Sequence, residues 1–156
     1  MSAADRIYVR WTAWLTGVSE SLTYADAVRV AERYVGAYND RDLDAILAVQ
    51  AEDVVSYPAP LYGHRPHFGH AGVREWWAAA SASGVWYEVV VAEVRQIGSD
   101  RVAILGEIRS GEGRPLSPWA VVVRVRDGLI IESRSYLSEK DLLDELGVLS
   151  EPPATS

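Results

Sequence analysis

The sequence lacks cysteine entirely, and Lys140 is the only lysine among its 156 residues. Without thiols there is no disulfide, no thiolate metal ligand and no cysteine nucleophile. A Schiff-base mechanism would depend on Lys140 alone, which lies in a polar segment after the last predicted strand. These two shortages exclude several common catalytic and metal-binding strategies.

Positive charge is scarce as well, because 22 acidic residues outnumber 15 basic ones and the net charge is -7. Phosphate contacts need a basic surface, so we expect no nucleic-acid partner. No apolar run approaches the length of a transmembrane helix, and charges at Asp5, Arg6 and Arg10 interrupt the region where a signal peptide would lie. We therefore expect a cytoplasmic protein without a membrane partner.

The composition that remains is globular, with 49% hydrophobic and 24% charged residues, and the length suits one domain. Residues 1–22 form a predicted N-terminal helical extension, since Ile7, Trp11, Trp14 and Leu15 share one helix face. Residues 23–150 form the predicted domain, and residues 151–156 a disordered tail.

Helical periodicity dominates the first half of that domain. Thr23 and Asp26 have the spacing of a capping box and predict the start of one helix. Two more helices are predicted, one through Leu43 and one around Val73, with a short strand over residues 54–57 between them. A last helix is predicted through Leu142.

Alternating apolar and polar residues replace this pattern in the second half. The period of two predicts strands over residues 85–97, 101–109, 117–126 and 129–137, and Asp127-Gly128 predicts a tight hairpin. Helices followed by consecutive hairpins predict an α+β fold with a curved antiparallel sheet, a cone-shaped half barrel. The helices should pack on its concave face and leave a pocket where they do not fill it.

Several strings in the chain resemble the nuclear transport factor two-like superfamily, in its SnoaL-like branch, from about Tyr24 to Leu149. The strings are Ala31-Glu32-Arg33-Tyr34-Val35-Gly36-Ala37-Tyr38-Asn39, Arg41-Asp42-Leu43-Asp44-Ala45-Ile46, Ala51-Glu52-Asp53-Val54-Val55, Gly69-His70-Ala71-Gly72-Val73-Arg74-Glu75-Trp76-Trp77 and Arg126-Asp127-Gly128-Leu129-Ile130. The resemblance implies a homodimer that associates through the convex sheet face, and it leaves the activity open.

Two enzyme families of this superfamily match only in part. In steroid delta-isomerase the oxyanion-hole tyrosine corresponds to Tyr34, but the catalytic base falls on Tyr57 and the second oxyanion acid near Val121. Limonene epoxide hydrolase has an arginine and an aspartate two apart on an inward-facing strand. Here Glu107-Ile108-Arg109 has the opposite order, and the aspartate of the last strand falls on Ser135.

Glu107, Arg109 and Tyr57 are the predicted catalytic residues. If Leu105 faces the core, strand alternation turns Glu107 and Arg109 inward as well. There Glu107 would act as a general base or as an orienting group, and Arg109 would bind a substrate oxygen. The alternative is a half-solvated ion pair at the strand end, which would add little.

The ligand pocket should be walled by aromatic side chains with polar tips, which suit a flat organic molecule. For any one of them, ordinary core packing is the alternative interpretation. The predicted pocket residues are Tyr34, Tyr38, Trp76, Trp119, Val121, Ser135, Leu137 and His67.

Three histidines, His64, His67 and His70, recur at intervals of three in a loop rich in proline and glycine. We predict no metal site there, because no helix fixes their spacing and no carboxylate pattern accompanies them. His64 or His67 would instead serve as an acid or base at the pocket mouth.

Together these patterns predict a pocket protein without a cofactor that acts on a small apolar organic molecule, as a cyclase, isomerase or hydrolase. Two alternatives stay open. One is a binding module that sequesters such a ligand, and the other is a structural dimerisation domain with a vestigial cavity.

Overall fold

The computed structural model describes residues 22–58, 65–84, 86–138 and 140–141. The predicted N-terminal helix, the helix through Leu142 and the disordered tail lie outside these ranges. Within the described ranges, no helix is both long and apolar enough to cross a membrane.

Helix α1 (Tyr24–Asn39) begins with the predicted capping box. The Thr23 hydroxyl accepts a hydrogen bond from the Asp26 amide at 3.0 Å, and the Thr23 amide donates to Asp26 Oδ2 at 3.4 Å. The hydrogen bond from the Thr23 side chain, with the Arg29 charge as a smaller cause, lowers the pKa of Asp26. The amides of Thr23 and Asp26, which have no partner within the helix, are thereby satisfied.

Helix α2 (Leu43–Ala48) starts at Asp42, whose carboxylate accepts from the Ala45 amide at 3.0 Å. Helix α3 (Gly69–Ser83) ends at Gly84, which adopts the left-handed conformation typical of a helix stop. The three helices thus occupy the predicted regions.

The strands are β1 (Gln50–Tyr57), β2 (His67–Phe68), β3 (Glu88–Ile97), β4 (Arg101–Arg109), β5 (Pro115–Arg126) and β6 (Leu129–Tyr136). They form one sheet in the order β2-β1-β6-β5-β4-β3. The prediction of a helix-covered α+β sheet is confirmed.

Two details of the sheet differ from the sequence-based prediction. Strand β1 pairs with β6 in parallel, whereas the other four pairings are antiparallel. The intervening chain, with α3 and the four strands β2 to β5, supplies the crossover that a parallel pair requires. Strand β2 lies in a segment predicted to be loop, because two residues show no periodicity and owe their extended form to pairing with β1.

The two sheet faces carry different apolar clusters. The main core joins the inner face to the helices and includes Val102, Ile104, Ile108 and Val121. A second, smaller cluster lies on the opposite, outer face. Its members are Ile97, Ala103, Ala120 and Val122, with Leu105 and Tyr136 packed against them.

Gly106 allows the sheet to bend between β3 and β4. A methyl group at this position would lie 1.9 Å from the Val90 carbonyl oxygen. The register of β3 against β4 shifts between Val91 and Glu93, beside this close approach. A bulge increases local twist and bends its strand, so the sheet curls here around the helices.

Replacing Gly106 with alanine should lower the free energy of unfolding by about 1–3 kcal/mol, because the β3 backbone must move. Gly36, in α1, has no atom within 4 Å of an added methyl group. Gly36→Ala should therefore raise the free energy of unfolding by about 0.5–1 kcal/mol through helix propensity. Urea titrations of both variants measure these changes, and equal stabilities would contradict the close-approach argument.

Candidate functional site

A cavity of about 80 Å³ lies between the inner sheet face, α1 and α3. That volume is several times the roughly 10–15 Å³ that one buried water requires. Its described lining residues are Tyr34, Val35, Tyr38, Ile46, Gln50, Ser56, Tyr57, Pro58, His67, Val73, Trp76, Tyr87, Val89, Ile108, Trp119, Ser133, Ser135 and Leu137. Among them there is no aspartate, glutamate, lysine or arginine.

An aromatic cluster forms one side of this cavity. The Tyr38 and Trp76 rings stack with centroids 6.5 Å apart, and Trp77 meets both of them edge-on at 6.4 and 5.9 Å. Trp86 lies behind, 4.9 Å from Trp77. Rings that pack against each other keep fixed orientations, so Tyr38 and Trp76, the two members that line the cavity, form a rigid wall.

Arg41 closes the outer end of the aromatic cluster. Its backbone has a φ of 57°, in the left-handed region, just after α1 ends. Its guanidinium carbon lies 4.5 Å from the Trp86 ring centroid, and Nη1 donates to the Tyr38 and Tyr87 carbonyls at 3.4 Å. The charge therefore stays on the far side of the rings and outside the cavity.

Asn39 fastens the same end of α1 to the sheet. Its side-chain nitrogen donates to the Val89 carbonyl at 2.8 Å, and its side-chain oxygen accepts from the Val89 amide at 2.9 Å. These are the two hydrogen bonds that a neighbouring strand would otherwise make with the Val89 backbone. The helix that carries Tyr34 and Tyr38 is thus held at a fixed distance from β3.

Tyr34 supplies a polar group deep in the cavity. Its phenol hydrogen-bonds to the Ser133 hydroxyl on β6, and burial raises the pKa of the Tyr34 phenol above its usual value near 10. A phenol with a raised pKa stays protonated at neutral pH and can donate a hydrogen bond. Tyr34 was one of the predicted pocket residues, and its partner Ser133 lines the same cavity.

His67 reaches the cavity from β2, where it pairs with Ser56 of β1. Helix α3 packs directly behind it, since a methyl group on Gly72 would lie 2.9 Å from the His67 backbone. His70, the next histidine, turns elsewhere, and its Nε2 lies 2.9 Å from the Gln50 carbonyl oxygen. The third histidine, His64, is outside the described residues.

The predicted inward orientation of Glu107 and Arg109 was wrong. Ile108 lines the cavity, so its two neighbours on β4 lie on the opposite face together with Leu105. There Arg109 Nε donates to Glu107 Oε1 at 2.9 Å, with about a third of each side chain exposed. Leu105 misled the prediction because it packs in the outer cluster and not in the main core.

Tyr57 lies at the cavity rim and is not joined to that ion pair. The Arg134 guanidinium carbon sits 3.8 Å from its ring centroid. Arg134 alternates with Ser133 and Ser135, which line the cavity, so this contact draws the Tyr57 ring toward the outer face. The three predicted catalytic residues are therefore not brought together.

Seven of the eight predicted pocket residues line the cavity; Val121 is fully buried in the main core instead. Gln50 is a lining residue that the sequence analysis missed. It precedes the predicted strand of residues 54–57, and neither periodicity nor motif distinguishes it. Among the described residues, no three histidines or carboxylates lie close enough together to hold a metal ion.

Comparison with known proteins agrees with this architecture. A family model described as the SnoaL-like domain matches residues 31–133, more than half of the chain. The chain belongs to the SnoaL-like domain family. The predicted superfamily resemblance is thereby confirmed. No functionally curated protein matches the sequence.

Solved structures related to this SnoaL-like protein share its fold at low identity. TerC, co-crystallised with polyporic acid, is 22% identical over 76% of this chain and 96% of its own, with a TM-score of 0.60. A candidate polyketide cyclase from Xanthomonas campestris pv. campestris is 21% identical over 78% and 97%, with a TM-score of 0.58. A candidate isomerase of the SnoaL-like family from Agrobacterium tumefaciens is 20% identical over 73% and 98%, with a TM-score of 0.59.

The raised pKa of Tyr34 predicts a specific response to alkaline pH. Below about pH 10 the folded and unfolded states both keep the phenol proton. As the pH rises further, the unfolded chain releases its proton first, so stability is lost until the pH exceeds the folded pKa.

Urea midpoints measured at roughly pH 9 and pH 11 should therefore fall further for the wild type than for Tyr34→Phe. Tyr57→Phe is the control and should keep the wild-type decrease. Parallel decreases in wild type and Tyr34→Phe would contradict a buried, neutral phenol.

Proposed function

We propose that this SnoaL-like protein binds a small, flat, largely apolar carbonyl compound and moves a proton on it without a cofactor, as in an isomerase or cyclase. The observation that carries the proposal is the Tyr34 phenol, buried among aromatic walls and held neutral by its raised pKa. A donor so placed stabilises negative charge that develops on a carbonyl oxygen.

The proton itself would be moved by His67. It is the histidine among the described lining residues, and an imidazole exchanges protons near neutral pH. In the proposed step, His67 takes a proton from the carbon next to the carbonyl, and the electron pair forms an enolate whose oxygen is bound by Tyr34. If the enolate is conjugated with a further double bond, return of the proton from His67 to the far carbon gives an isomer. Attack of the enolate on a second carbonyl closes a ring, and the alkoxide formed there takes the proton back from His67.

The structural relatives support this reaction class without defining it. One is described as a candidate polyketide cyclase, another as a candidate isomerase, and TerC was crystallised with polyporic acid. Cyclase and isomerase are also the two reaction types proposed here.

A non-catalytic binding module is the second candidate. It is favoured by the lack of any carboxylate, lysine or arginine among the described lining residues, which leaves few strong acids or bases. In that case the same aromatic walls would hold the ligand by apolar burial alone.

β-Tetralone, a planar two-ring ketone, separates the two candidates. An enzyme of the proposed kind should speed deuterium uptake from D₂O at its α-carbons, followed by proton NMR. Tyr34→Phe should slow the catalysed exchange by about 10²-fold and His67→Gln by a similar factor. Glu107→Gln, on the outer face, is the matched control and should exchange at the wild-type rate.

Binding of β-tetralone without catalysed exchange would establish the binding module instead. Exchange that survives in both Tyr34→Phe and His67→Gln would refute the assigned roles. Tryptophan fluorescence, with Trp76 and Trp119 in the cavity wall, reports binding in each variant.

We also propose that two copies associate through the outer sheet face. Its apolar centre includes Ala103, Ala120 and Leu105. Three ion pairs of the form Glu-x-Arg surround that centre, namely Glu93–Arg95, Glu107–Arg109 and Glu132–Arg134. Within each pair the arginine Nε lies 2.8 to 3.0 Å from the glutamate Oε1. Internally paired charges leave such a face nearly neutral, which permits a second copy to pack against it.

Leu105→Arg should convert the proposed dimer to a monomer in sedimentation velocity, because an unpaired charge would be buried at the centre of the interface. Phe68→Arg adds the same charge on β2, where the side chain is already exposed, and should leave the dimer intact. A wild-type monomer at every concentration would refute this association.

A further inference from the structure

Gln50 is a buried polar residue whose side-chain oxygen has no hydrogen-bond partner among the residues that the structure describes. Only 4% of the residue is exposed, and its Oε1 atom has no hydrogen-bond donor. Gln50 also lines the cavity. A buried carbonyl-type oxygen is normally paired, so the missing donor is an observation that the fold alone leaves unexplained.

The backbone around Gln50 is fixed from two sides, so its position is not an accident of a loose segment. His70 of α3 hydrogen-bonds to the Gln50 carbonyl at 2.9 Å. The Ile130 amide of β6 donates to the Val49 carbonyl, also at 2.9 Å. These contacts hold Gln50 in place at the start of β1, and the described part of the chain supplies no partner for its side-chain oxygen.

We infer that Gln50 Oε1 accepts a hydrogen bond from a hydroxyl group of the ligand, so that the cavity selects hydroxylated ring compounds, phenols or enols, over their ethers and quinones. The inference rests on the proposed function and names the substrate class of the same site. An oxygen acceptor requires a donor on the ligand, and a carbonyl or ether group has none.

The ligand group that donates to Gln50 Oε1 should be uncharged. An ammonium group would enter a cavity whose described lining residues include no carboxylate, so its charge would be buried without a counterion. A phenol or enol hydroxyl carries one donor at little desolvation cost and leaves its flat ring for the aromatic walls. This combination matches both the polar and the apolar parts of the cavity.

Gln50 and Tyr34 act at different places in the cavity. Ser133, the partner of Tyr34, lies opposite Ser56 in the β1–β6 pairing, whereas Gln50 lies opposite Ile130. The two polar contacts are therefore separable by mutation. Tyr34 faces the oxygen on which charge develops, and Gln50 identifies a hydroxyl elsewhere on the ring system.

The test compares β-naphthol with its methyl ether and with a naphthoquinone, by tryptophan fluorescence titration of wild type, Gln50→Leu and Tyr34→Phe. Wild type should bind β-naphthol about tenfold more tightly than the ether. Gln50→Leu should bind the two equally, and Tyr34→Phe should keep the preference. A preference that survives in Gln50→Leu, or tighter binding of the quinone by wild type, overturns the inference.

The stability of the ligand-free Gln50→Leu variant tests the unpaired oxygen without any of these probe molecules. Replacing an unpaired buried amide by leucine should raise the urea midpoint of the ligand-free protein, because a polar group without a partner is removed. A lowered midpoint would show that the amide serves the fold and would overturn the inference. If no probe binds wild type while the midpoint of Gln50→Leu rises, the proposed function fails and the unpaired acceptor stands.

Discussion

The alternation of side chains along β4 and β5 is the constraint on which the site depends. Each strand has apolar residues on both faces, and each face has its own cluster. Because the period is two, the residue that lines the cavity determines the orientation of both neighbours. Ile108 and Trp119 point inward, so Glu107 and Arg109 point outward, and the only charges that β4 supplies near the cavity remain on its other side.

The curl of the sheet brings the inward-facing side chains of these strands close to helix α1. Gly106 and the adjacent bulge let β3 approach β4 closely, and Asn39 ties α1 to Val89 where β3 begins. Neither contact adds a group to the cavity. Both fix the distance between the helix that carries Tyr34 and the strands opposite it. The hydrogen bond between Tyr34 and Ser133 depends on that distance, because it spans the gap between helix and sheet.

Much of the helix and strand content was predictable because its signals are local. The Thr23–Asp26 capping box and the hairpin at Asp127-Gly128 need no tertiary information, and the aromatic positions Tyr34 and Trp76 followed from helix periodicity. The inward face of β4 was not predictable in the same way. Ala103 and Leu105 lie on one face of β4, and Ile104 and Ile108 lie on the other. Because both faces carry apolar residues, the period of two does not indicate which face meets the helices.

The missed residues illustrate a second limit. Gln50 belongs to no motif, and its importance comes from a side-chain oxygen that lacks a donor among the described residues. That lack is a property of three-dimensional packing and leaves no trace in the sequence pattern. The orientation of Tyr57 was equally hidden, because it depends on Arg134, which pairing with β6 brings alongside β1. A repeated Glu-x-Arg pattern was an overlooked signal, since three in-strand ion pairs are typical of the sheet face that points away from the helices.

The separation of charge from the cavity limits the chemistry that can occur there. Ionised side chains collect on the outer face and beyond the aromatic cluster, while Tyr34, Ser133, Gln50 and His67 remain as neutral or weakly basic groups inside. In a low-dielectric interior each neutral hydrogen bond is stronger than in water, and each unpaired one costs more. Selectivity should therefore follow the match of ligand donors and acceptors to these few groups, and only then the size of the ring.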